Sequence, residues 1–115
     1  MAIFDIFKRP KSADPDTVVL TQLKKAGSDL SKIHPVEFFL YFPNEQNAQK
    51  AADYIRAQVF QADVKRAAQG DEWLCVAKKL IVPSPEALQE IRRDFSAMAR
   101  GLGGQYDGWG TPVIK

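Results

Sequence analysis

The residues of this chain whose types could do chemistry are a histidine, a cysteine and a set of helical carboxylates, and their spacing argues against each in turn. His34 is the single histidine and precedes a proline. No His pair can therefore ligate zinc, and neither a His–Cys nor a Ser–His–Asp set finds its base; His34 is expected to structure a loop. Cys75, the one cysteine, stands between Leu74 and Val76, the setting of a buried, inert thiol. A lone cysteine also excludes an internal disulfide and a thiolate metal cage. Asp53, Glu86, Glu90 and Asp94 fall among lysines and arginines on helical segments, as solvated faces do. The string "GLGG" at 101–104 follows a helix and precedes a strand, the reverse of a phosphate-cradling loop, and reads as a helix stop. No catalytic residue, metal or cofactor is expected, and the chain reads as no enzyme.

Charge and length narrow the partners. Sixteen Lys and Arg against fourteen Asp and Glu give a formal charge of +2, which permits a nucleic acid partner without requiring one. The 115 residues, 45% hydrophobic with seven Phe, suit one core. No apolar run approaches the roughly 20 residues of a membrane span, and "MAIFDIFKRP" lacks the basic start and long apolar region of a signal peptide, so a cytoplasmic location is expected. Ile3, Phe4, Ile6 and Phe7, followed by Lys8, Arg9 and Lys11, read either as a frayed terminus or as a short amphipathic foot, through residues 3–9, for an anionic membrane surface or a partner. Pro10, Ser12 and Pro15 look like a linker. Residues 1–13 are thus expected to form a leader and linker, and residues 14–115 a single domain.

Periodicity supplies the elements. Asp14 before Pro15 reads as a helix start, with Val19, Leu20 and Leu23 as its apolar stripe and Gly27 as its stop. In "HPVEFFLYFP", Val36, Phe38, Leu40 and Phe42 alternate with Glu37, Phe39 and Tyr41, a strand with aromatics on both faces. Asn44 then caps a helix whose stripe is Ala48, Ala51, Ala52, Ile55 and Val59. "FQADVKRAA" and "EWLCVAKKLIVP" make two strands around Gly70 and Asp71. Ser84 and Pro85 open a helix striped by Leu88, Ile91, Phe95, Met98 and Leu102, ended by the glycines at 101, 103 and 104. "QYDGWGTPVI" is left as the last strand.

Strand, helix, strand, strand, helix, strand is the order of a ferredoxin-like α+β sandwich: a βαββαβ chain forming a four-stranded antiparallel sheet with two helices on one face. The extra N-terminal helix has two places open to it, the sheet edge or the open face. The same order builds the RNA recognition module, whose sheet stacks bases, and Phe39, Tyr41 and Trp73 would supply rings for single-stranded RNA. Against that, "EWLCVAKKL" departs from the basic, Gly, aromatic, small, aromatic pattern of the module's third strand. The other reading buries these rings against the extra helix or a partner.

The closing stretch places Trp109 between Gly108 and Gly110. Glycine there permits a bulge or a positive φ that aims the indole across the sheet, with Asp107 bonding nearby backbone in an Asx-type turn and Tyr106 anchoring the approach. Trp109 then either locks the last strand as local core or stands out as an aromatic anchor for a partner.

"QYDGWGT", together with "GSDLSKIHPVEFFLYFP" starting at residue 27, resembles the regulator of ribonuclease activity B family. The resemblance covers residues 27–111 and rests on Tyr106, Asp107, Gly108 and Trp109 near the end and on the Gly27, Ser28, Asp29 turn before the first strand. It implies a ferredoxin-like fold, no catalysis, and a protein partner of the ribonuclease E type whose cleavage of transcripts is lowered, with Tyr106, Asp107, Trp109, Phe39, Tyr41 and Trp73 as candidate contact residues. Two features depart from the family's named inhibitors, which are strongly acidic and carry an acidic tail: this chain is slightly basic and runs only to Lys115. A grip by acid on base is therefore not expected of it.

Overall fold

The computed structural model describes residues 15–115; the expected cap Asp14 and the apolar leader lie outside them. Helix α1 (Pro15–Lys25) carries Asp16 in its first turn and Lys24 and Lys25 in its last, charges that suit the two ends of its dipole. It stops where Gly27 takes φ 97°. The Gly27 and Ser28 N–H groups, each at 3.0 Å, reach back to the Lys24 and Leu23 carbonyls, a Schellman closure that needs a residue free to adopt positive φ.

Strand β1 (His34–Phe42) buries every second residue, and Val36, Phe38, Leu40 and Phe42 are wholly enclosed. Helix α2 (Glu45–Arg56) starts at Asn44, whose side chain accepts the Asn47 N–H at 2.8 Å. Its buried side is Ala48, Ala51, Ala52 and Ile55, small residues that bring the helix close to the sheet. Strands β2 (Gln61–Arg66) and β3 (Trp73–Ile81) form a hairpin. Helix α3 (Pro85–Gly101) is capped by Ser84, which accepts the Ala87 N–H at 3.1 Å, and strand β4 (Gln105–Gly110) follows.

The strands lie in the order β2-β3-β1-β4, each neighbour antiparallel, which is the ferredoxin-like arrangement. Helices α2 and α3 cover one face, α2 over β2 and β3 and α3 over β4 and β1. Phe38, Phe60 and Phe95 meet between the layers with centroids 5.2 to 5.8 Å apart, a mutually tilted geometry favourable to aromatic pairs. Helix α1 packs on α3 and β4. It widens the helical layer past the β4 edge and leaves the other sheet face uncovered by any described helix.

Two expectations need correction. Val59 does not continue the α2 stripe: the helix ends at Arg56, and Val59 sits in the turn beyond it with φ 67°, 81% exposed. The last strand also ends at Gly110 rather than running to Ile114. Pro112 has no N–H for a ladder, and the Ile114 N–H is given to the Ser28 hydroxyl instead.

The turn from α3 into β4 repeats the Schellman geometry, with Gly103 at φ 73° and the Gly104 N–H on the Ala99 carbonyl at 2.8 Å. A Cβ on Gly104 would run into the Tyr41 carbonyl oxygen and the Phe42 ring, whereas one on Gly101 meets nothing within 4 Å. Gly104→Ala is therefore expected to destabilise by about 1 to 3 kcal/mol, and Gly101→Ala, at a helical position, to stabilise by a few tenths to about 1 kcal/mol. Chemical denaturation of the two variants checks the pair; equal stabilities would contradict this close approach.

Candidate functional site

Tyr106 and Trp109 are three apart, so in a regular strand they would face opposite sides of the sheet. The register prevents this. Leu40 pairs with Tyr106 and Phe38 with Trp109, leaving Asp107 and Gly108 together opposite Phe39. That extra residue is a β-bulge, and Gly108 makes it possible with φ 100°. Gly110 has no positive φ, and a Cβ there would touch only the Phe39 ring at 4.0 Å, so the backbone demand falls on Gly108 alone. Both rings consequently point into the helix-covered core, where Trp109 is 8% exposed.

A buried indole needs an acceptor for its N–H, and Asp16 supplies it. Trp109 Nε1 donates to Asp16 Oδ1 at 3.0 Å, and Arg92 Nε donates to Asp16 Oδ2 at 3.0 Å. The carboxylate is 3% exposed, so burying it would be costly without these two charge-assisted bonds. One carboxylate thus ties α1 to β4 and to α3. Neither Asp16 nor Arg92 is among the sequence candidates, yet both carried a signal. Asp16 stands three, four and seven residues before Val19, Leu20 and Leu23, and Arg92 stands four after Leu88 and three before Phe95, so each is a charge set on an apolar stripe.

Tyr106 lies beside this node, edge-on to Phe95 with centroids 6.3 Å apart. Its hydroxyl is buried and meets no hydrogen-bond partner among the described residues. Burial first, and then the nearby Asp16 charge, push its phenol well above the ordinary tyrosine range. Cys75 is wholly buried, and that desolvation raises its thiol to about 11, a poor nucleophile at neutral pH. Asp107 is exposed on the bulge, and its carboxylate makes no turn bond of the Asx kind. Among the described residues no cluster of His, Cys, Asp and Glu is arranged to hold a metal ion.

The Gly27, Ser28, Asp29 turn and the tail after Trp109 meet in space. The Asp29 N–H donates to the Ile114 carbonyl at 2.7 Å and the Ile114 N–H to the Ser28 hydroxyl at 3.0 Å. The Asp29 carboxylate accepts the Ser31 hydroxyl and N–H at 2.6 and 3.0 Å, bonds that hold it below the usual carboxylate range. His34, fully enclosed at the start of β1, completes the joint. Its Nδ1 lies 2.8 Å from the Lys32 carbonyl, which can only accept, so Nδ1 carries the hydrogen; in the neutral ring Nε2 then accepts from Ser28 Oγ at 2.7 Å.

The remaining candidates separate by face. Phe39 and Tyr41 lie half-buried on the open face, with Leu74 and Val76 of β3 beside them in register. Trp73 does not join them. It pairs with Phe42 and so faces the helical side, where the Arg66 guanidinium sits 5.4 Å from its ring. The sheet therefore presents two adjacent rings on its open face, not the three that base stacking was expected to use.

Tyr106 and Cys75 predict an alkaline limit to stability. Both hold their protons more tightly folded than unfolded: the Cys75 contribution is complete below the ordinary thiol value of 9.0 and is lost as pH rises through about 11, and the Tyr106 contribution is complete below the ordinary phenol value of 10.0 and declines steadily above it. Tyr106→Phe removes a hydroxyl that has no partner among the described residues; the variant is expected to be at least as stable as the parent at pH 7 and to lose less between pH 9 and 11. Thermal melts across that window check it, and an unchanged alkaline slope would contradict the assignment.

Among the described residues no helix is long and apolar enough to cross a membrane. No curated protein matches the chain significantly. A family model described as regulator of ribonuclease activity B matches residues 13–111. That span takes in every element from α1 to β4, with the Asp16, Arg92 and Trp109 node and the Ser28, Asp29 turn inside it. The chain belongs to the regulator of ribonuclease activity B family.

Proposed function

We propose that this protein is a cytoplasmic, non-catalytic regulator that binds a ribonuclease of the ribonuclease E type and lowers its activity through protein contact. Family membership supports the regulatory role. The observation that carries the choice of surface is the open sheet face, where Phe39, Tyr41, Leu74 and Val76 are half-exposed while the residues alternating with them are core. Glu37, Asp63, Lys65 and Lys78 stand around that stripe, a polar rim about an apolar centre, as protein interfaces have. Asp107 projects from the bulge beside Phe39 and joins the rim. In this reading Trp109 and Tyr106 serve binding by holding β4 in place, and Trp73 lies outside the contact.

Mixed charge on the rim and a net charge of +2 favour apolar and hydrogen-bonded contact over long-range attraction. Calorimetry against a purified ribonuclease E-type enzyme tests the reading. Affinity is expected to fall only modestly between low and physiological salt. Phe39→Ala and Tyr41→Ala together are expected to weaken binding by about 2 kcal/mol or more, while the melting temperature stays within a few degrees. No binding by the folded parent at micromolar concentration, or full binding by the double variant, would overturn it.

A further inference from the structure

At the end of the sheet where β1 begins and β3 finishes, exposed aliphatic side chains gather, Val59 and Leu80 the most exposed of them at 81% and 67%. With Pro35 and Phe60 they line a concavity of about 670 Å³ whose polar walls are Gln61, Lys78 and Lys79, with no carboxylate. Val59 reaches it from a φ of 67°, a region that β-branched residues rarely occupy. The tight turn that closes α2, with the Val59 N–H on the Arg56 carbonyl at 3.0 Å, turns its isopropyl group outward, away from the α2 core stripe. Isolated exposed aliphatics are ordinary on protein surfaces; two in one concavity, with Lys78 and Lys79 on opposite faces of β3 as its charged lining, are less so.

From this geometry we infer that the concavity docks an amphipathic acidic segment of a protein partner, aliphatic side chains seated on Val59, Leu80 and Pro35 and carboxylates meeting Lys78 and Lys79. The chemistry favours peptide over RNA. Val59, Leu80 and Pro35 have no π face for a base to stack on, and the ring of Phe60 is already covered by the Lys79 ammonium, 4.7 Å from its centroid. The basic stretch is short. Past Phe60 the neighbouring groove between α2 and α3 carries Glu90 and Asp94, and Glu37 stands opposite Lys78 on β1. An acidic segment is thus held at the sheet end and repelled beyond it, which sets its direction as well as its place. The site adjoins the Phe39 and Tyr41 stripe, sharing Lys78 with its rim, and its test uses no ribonuclease.

The experiment is an amide chemical-shift titration of the full chain with a short amphipathic peptide of leucine and glutamate, its leucine and lysine counterpart, and a uridine oligonucleotide. The Leu/Glu peptide is expected to shift residues 59–61 and 78–80 and to bind at least about tenfold more tightly than the Leu/Lys peptide. Val59→Glu and Leu80→Glu, both at exposed positions, are each expected to weaken it about tenfold or more with unchanged melts. The inference is overturned if these amides do not respond, if the Leu/Lys peptide binds equally, or if the oligonucleotide shifts them and the peptide does not. It is overturned equally if they shift with protein concentration alone, which gives the concavity to a second copy, or on Phe4→Ser with Phe7→Ser, which gives it to the chain's own leader.

Discussion

The hydrogen bond from the Trp109 indole to the buried Asp16 carboxylate, 3.0 Å long, is the interaction on which the rest of the arrangement depends. It exists only because Gly108 adopts φ 100° and inserts one residue into β4; a regular strand would send the indole to the opposite face. The carboxylate in turn is tolerable in the core only because Arg92 and the indole both donate to it. Glycine, tryptophan, aspartate and arginine from three elements are therefore mutually conditional. Removing Asp16 leaves the buried indole N–H unpaired, and removing Arg92 or Trp109 takes one of the carboxylate's two donors.

The node also determines what the surface can do. By drawing α1 onto α3 and β4 it keeps that helix off the open sheet face, so Phe39 and Tyr41 stay available beside Leu74 and Val76. The same division places the rings of the aromatic and glycine-rich stretch 105–110 in the core layer behind the sheet, apart from the open face. In the proposed reading, contact falls to the residues in front, which alternate with core positions and are held by them. At its other end the sheet is closed by the Ser28, His34 and Ile114 joint, which ties the tail after β4 to the turn before β1.

Much of this was legible in the residues. The alternation through β1, the caps Asn44 and Ser84, the stop at Gly27 and the bulge around Gly108 all follow from local chemistry acting within a few residues, and the structure has each in place. What was not legible depends on register. In β3 both alternating sets are partly apolar, Trp73, Cys75 and Ala77 against Leu74, Val76 and Leu80, so period alone could not assign Trp73 a face; pairing with Phe42 does. The partners of Asp16 and Arg92 were hidden for a related reason. A charge on an apolar stripe announces that a partner exists, but only tertiary packing says that the two stripes meet. Val59 keeps the helical spacing of the α2 stripe in sequence, but the chain has already turned at Arg56, and the period carries no mark of that stop.

A double-mutant cycle on Asp16 and Trp109 tests the central claim most directly. Asp16→Ala, Trp109→Phe and the double variant are unfolded by denaturant at neutral pH, and the coupling free energy is taken from the four stabilities. If the indole N–H and the carboxylate are a mutually dependent buried pair, the coupling should be about 1 kcal/mol or more, because Asp16→Ala strands the indole N–H and Trp109→Phe takes one of the carboxylate's two donors. Effects that add to within about 0.3 kcal/mol would mean that the two residues stabilise the fold independently and would contradict the account.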